Sequence, residues 1–143
     1  MIPRAAAFAL AMCLPFAAAS AASPPREVPD LPEVPVIVGE QEGLDACGGW
    51  AEVHGLNPEG DGFLAVRSGP GVAFAMRDRL RERDGLYVCG GSDDGLWLAV
   101  VYPRKGQNAA DCGVSSALPA PRAYRGPCGR GWVRADWIRI LAG

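Results

Sequence analysis

The sequence predicts an all-β fold, a small barrel or sandwich of five to six short strands. Three observations point there. Nineteen glycines and thirteen prolines in 143 residues interrupt the chain too often for long helices. The apolar runs are short and lie between clusters of turn-forming residues. Four cysteines follow the apolar N-terminal stretch, an even number that suits a small domain stapled by disulfides. The length allows one domain and is too small for two of ordinary size.

In chain order, Met1–Arg4 supplies a short positive start and 5–19 an apolar stretch interrupted by Pro15. Ala19-Ser20-Ala21 and Ser20-Ala21-Ala22 place small residues where a signal peptidase reads them. Residues 1–22 therefore read as a signal peptide, cleaved near Ala21 or Ala22, which predicts a periplasmic or secreted protein. A bilayer span needs about 18 unbroken apolar residues, and Pro15 interrupts the run. No membrane span is expected after cleavage.

Residues 23–45 read as a Pro-rich acidic linker. Its first part, SPPREVPDLPEVP, holds five prolines and favours extended polyproline II at ~3 Å per residue. Arg26, Pro29 and Pro32 have the spacing that eukaryotic proline-reading domains recognise, but a stiff spacer is the simpler reading. Val36–Val38 can add a short edge strand before Gly39.

The domain proper is expected over 46–143. Trp50–Leu56 is the first strand, followed by the turn cluster Asn57–Gly62. Phe63–Val66 resumes extended structure and stops at Arg67-Ser68-Gly69-Pro70-Gly71. Phe74–Leu80 reads as one helical turn or an irregular loop. Asp84-Gly85 leads into a strand at Leu86–Cys89, and Gly90–Gly95 turns the chain again. Leu96–Tyr102 (LWLAVVY) is nearly all apolar, as a central strand covered on both sides should be. Residues 103–127 form a long polar loop. Gly131–Val133 and Ile138–Leu141 close the chain around one tight turn at Arg134–Trp137. Leu64 and Val66, Leu86 and Val88, and Leu98 and Val100 each share a face, giving six apolar side chains for an interior.

After cleavage Cys47, Cys89, Cys112 and Cys128 remain, and three pairings are possible. The preferred one joins Cys112 to Cys128 across a local loop and Cys47 to Cys89 between an early and a central strand. No Cys-x-x-Cys pair is present, so the spacing disfavours zinc, and neither metal nor cofactor is expected.

Gly62-Phe63-Leu64-Ala65-Val66-Arg67-Ser68-Gly69-Pro70-Gly71 resembles the opening signature of bacterial SH3-like (Src-homology-3-like) domains. Leu80, Leu86 and Val88 continue the likeness, as do Trp97-Leu98-Ala99-Val100. Gly131-Trp132-Val133-Arg134-Ala135-Asp136-Trp137-Ile138 is similar to the closing element of that family. The resemblance covers Gly62 to Ala142 and implies an SH3-like barrel. Two features depart from it: the glycine at Arg83-Asp84-Gly85 is shifted, and 103–127 is an insertion, with Cys112 and Cys128 expected to pin it. That insertion can either cover a groove or form a binding surface.

The resemblance implies a non-catalytic binding module for cell-envelope components or peptides. Candidate contacts are aromatic and basic side chains near loops: Arg67, Trp97, Tyr102, Tyr124, Arg134 and Trp137. Trp132 reads as a core residue. An alternative is a protein-interaction or inhibitor-like module acting through 103–127. Catalysis has little support, because the single histidine, His54, lies on an expected strand and Cys47 is expected to be bonded. Charge is divided: residues 23–61 carry net −8 and residues 62–143 net +5. The basic excess is too modest for nucleic-acid recognition. It predicts that the acidic entry segment either lies against the basic face or leaves it free for an anionic ligand.

Overall fold

The computed structural model describes residue 3, residues 18–24 and residues 29–143. Most of the expected signal peptide, and Arg26 of the proline motif, lie outside the described residues. The strands are β1 (Ile37–Val38), β2 (Gly49–Val53), β3 (Leu64–Arg67), β4 (Met76–Leu80) and β5 (Gly85–Gly91). They continue with β6 (Trp97–Tyr102), β7 (Arg122–Ala123), β8 (Gly129–Arg134) and β9 (Ile138–Ala142). Seven form one antiparallel sheet in the order β4-β3-β8-β6-β5-β2-β9, and β1 pairs with β7 in a separate two-stranded ladder. Among the described residues no ladder joins the outer strands β4 and β9, so the sheet is not closed.

Alternation along the strands builds two apolar clusters on opposite faces of the sheet. One gathers Leu64, Val66, Leu80, Leu86, Val100 and Val133, with Val88 and Leu98 packed against it. All six side chains expected in the interior are therefore in this cluster or against it. The other gathers Trp97, Ala99, Val101 and Trp132 from the sheet with Val36, Val38, Val114 and Tyr124 from outside it. Strand β6 sits between β5 and β8 and supplies both clusters from alternate residues, which is why its sequence is apolar almost throughout.

The second cluster changes the reading of the entry segment. Prolines suggested a solvated spacer through residue 45, but Val36 and Val38 are each only 2% exposed. Burying a valine contributes ~1.5–3 kcal/mol, ample reason for this stretch to pack. Backbone hydrogen bonds run from Val34 N–H to the Ser68 carbonyl and from Tyr124 N–H to the Val36 carbonyl, both 2.8 Å. Cys47 N–H reaches the Val114 carbonyl at 3.1 Å. Residues 34–47 and 109–124 thus interlock, and the insertion covers the second face of the sheet.

The disulfides join Cys47 to Cys89 and Cys112 to Cys128. The first ties the entry segment to β5 and the second closes the insertion, which contains a short 3-10 turn at Ala109–Cys112.

Four expectations need correction, the first being the count of five to six strands, since nine are present among the described residues. Phe74–Leu80 is neither a helical turn nor a loop, since Met76–Leu80 is the edge strand β4, paired to β3. The first long strand ends at Val53, because Gly55 takes a positive φ of 83° and His54 N–H turns to the Trp137 carbonyl at 2.9 Å. The Gly69-Pro70-Gly71 turn does not use positive φ at either glycine. Gly69 is required because the Phe74 ring lies where a Cβ would stand.

Candidate functional site

Strands β3 and β4, the start of β6, the end of β8 and the 3-10 turn Ala135–Trp137 surround an open groove of about 360 Å3. Arg67, Trp97, Arg134 and Trp137 line it together with Phe63 and Met76. Four of the six candidate contacts therefore meet in one place, although they lie 70 positions apart in the chain at the extremes.

The pairing of β6 with β8 sets Trp97 directly opposite Arg134, and the guanidinium carbon stands 5.7 Å from the indole ring centroid. Such a cation–aromatic contact holds Arg134 against the wall. The Arg134 Nη2 also donates to the Asp136 carboxylate at 2.7 Å. Arg67 follows a bulge in β3, is half-buried, and donates through Nη1 to the Phe74 carbonyl at 2.9 Å. Its backbone pairs with Trp132 of β8. Trp137 is 38% exposed and Val72, at the rim, is 76% exposed. The groove thus combines apolar surface from Phe63, Val72, Met76 and Trp137 with the Asp61 carboxylate and two guanidinium groups held by the protein itself.

The hairpin joining β5 to β6 keeps Trp97 in place. Ser92 Oγ accepts from the Trp97 backbone N–H at 3.0 Å, and Asp94 accepts from Ser92 Oγ and from Leu96 N–H. The Ser92 hydroxyl, then the Leu96 amide, hold the Asp94 carboxyl below its usual range, with the Arg134 charge a smaller cause.

The remaining two candidates are elsewhere. Tyr102 is buried, and its hydroxyl donates to Asp78 Oδ2 at 2.8 Å. Burial first, and the Asp78 carboxylate second, raise that phenol well above its usual value. Tyr124 is also buried; its hydroxyl donates to the Cys112 carbonyl at 2.9 Å and accepts from Cys128 N–H at 3.3 Å. Both were read as contacts because tyrosine has an apolar body and a polar tip. Here the tips are bonded inside the protein, and neither residue lines the aromatic groove. Trp97 and Trp132 are buried too, Trp97 contributing a groove wall and Trp132 lying in the second cluster.

Phe63, Val72 and Met76 were missed. Met76 shares its strand with Asp78 and Leu80 on alternate positions, a period-two signal obscured by the intervening arginines. Cys47 is in a disulfide, as expected, and His54 Nδ1 lies 3.5 Å from Glu82. Among the described residues, no group of three or more His, Cys, Asp and Glu is placed to hold a metal ion. No family model, curated protein or solved structure matches the chain.

Proposed function

We propose that the protein is an exported, non-catalytic binding module of the bacterial SH3-like type, which recognises cell-envelope components or peptides through the aromatic groove. The observation that carries this reading is the convergence of Arg67, Trp97, Arg134 and Trp137 on one opening. Trp137 offers a rigid apolar surface for a sugar ring or side chain, while the guanidinium groups suit a carboxylate. The all-β sheet and its interior cluster support an SH3-like barrel as the underlying architecture. Two disulfides suit an oxidising compartment and so support export.

The test is sedimentation with purified peptidoglycan and, in parallel, capture on its stem peptides. Retention is expected for the unaltered chain and should be lost in Trp137→Ala. Equal retention of both, or retention of neither, would exclude a wall ligand at this groove.

A further inference from the structure

A second groove, of about 600 Å3, lies between residues 78–85 and 102–107. Four cations line it, Arg79, Arg81, Arg104 and Lys105, against two carboxylates, Asp78 and Asp84. The carboxylates already serve other donors. Asp78 accepts from the Tyr102 hydroxyl and from Arg79 N–H, each at 2.8 Å, and Asp84 accepts from Arg81 N–H at 2.7 Å. Ion pairs among the described residues use His54, Arg130, Arg134 and Arg139, which leaves these four cations without a carboxylate partner. Arg79 rests over the Phe63 ring, 4.9 Å from its centroid, and Arg81, Arg104 and Lys105 form the freer set.

None of the described carboxylates of the acidic entry segment lines this groove; Glu33 reaches Arg130, and Glu40 lies beside Gly90. Arg79 lies on the outer strand β4 and Arg81 just beyond it, Arg104 and Lys105 lie in the turn after β6, and all four are exposed. Tyr102, buried beneath, fixes the floor through Asp78.

We propose that this groove binds a phosphate-bearing anion carrying several closely spaced charges. Guanidinium groups meet phosphate oxygens two at a time, and a lysine adds a compact charge beside them. A single carboxylate cannot satisfy four cations around one opening, whereas a short run of phosphates can. The site shares no lining residue with the aromatic groove, so it does not rest on the reading given above.

Titration calorimetry of the full chain with sodium tripolyphosphate at low ionic strength tests it. Saturable binding is expected, weakened about tenfold or more in Arg81→Gln/Arg104→Gln and unchanged in Trp137→Ala. Arg104→Gln/Lys105→Gln, on an exposed turn, serves if the first variant does not fold. A parallel arm compares phosphatidylglycerol with phosphatidylcholine vesicles. A preference for the anionic vesicles that both variants abolish assigns the phosphate to a lipid headgroup, and tripolyphosphate binding without it assigns a soluble chain. Binding that the variants leave unchanged, or none to either probe, overturns the proposal.

Discussion

The indole Nε1–H of Trp132 donates a 2.9 Å hydrogen bond to the carbonyl of Val34, 98 residues earlier in the chain. It anchors the entry segment to β8, beside the pair formed by Arg130 and Glu33. Trp132→Phe leaves that carbonyl without its donor and also removes one ring of a buried indole. A loss of about 1–3 kcal/mol is expected in urea unfolding, with faster proteolysis within residues 29–36. Unchanged stability and unchanged cleavage would show that the anchor is dispensable.

The two disulfides should differ in their contribution. Loop-closure entropy assigns roughly 3 kcal/mol to Cys112–Cys128 and roughly 4 kcal/mol to Cys47–Cys89, whose separations are 16 and 42 positions. Paired Cys→Ala variants compared by denaturant midpoint measure the difference. The prediction fails if removing the shorter loop costs more.

Gly131 crosses β3 with no room for a side chain. A Cβ there would stand 2.5 Å from Val66 Cγ1 and 2.7 Å from the Arg67 carbonyl oxygen. Gly131→Ala is expected to cost about 1–3 kcal/mol, because two strands must separate. Gly48→Ala, which meets nothing within 4 Å, is the matched control and should stay within about 0.5 kcal/mol of the parent.

Glu82 predicts an acid limb in the stability profile. Its carboxylate accepts from Gly55 N–H at 3.0 Å and Leu56 N–H at 2.9 Å, and these bonds hold its pKa below the ordinary value. A folded pKa below the unfolded one stabilises above about 4.3 and is lost as pH falls through the folded value. The urea midpoint should therefore drop on acidification below that point, and more shallowly in Glu82→Gln. Parallel profiles for the two proteins would remove Glu82 from the explanation.

The large sheet was legible wherever apolar alternation and turn residues coincide. Leu64 and Val66, Leu86 and Val88, and Leu98 and Val100 declare their faces locally, and each reaches the same cluster. Strand β4 was not legible, because Arg77 and Arg79 face out while Asp78 turns inward to Tyr102. The entry segment was hidden by its prolines: Val34, Val36 and Val38 alternate as a strand should, but their partners lie far along the chain. For the groove, Arg67, Arg134 and Trp137 were recognisable as basic and aromatic residues beside turns. Tyr102 and Tyr124 look the same in sequence, and only long-range partners for their hydroxyls distinguish them.

Among the described residues, strand β8 is the only link in the large sheet between the β3–β4 hairpin and the block formed by β6, β5, β2 and β9. A chain interrupted before Gly129 holds two fragments with no ladder between them, and neither can complete the interior cluster alone. Completion of the sheet must then wait until β8 has been made, and such late, distant pairing is slow. Until then the β3–β4 hairpin and strands β2, β5 and β6 share no ladder.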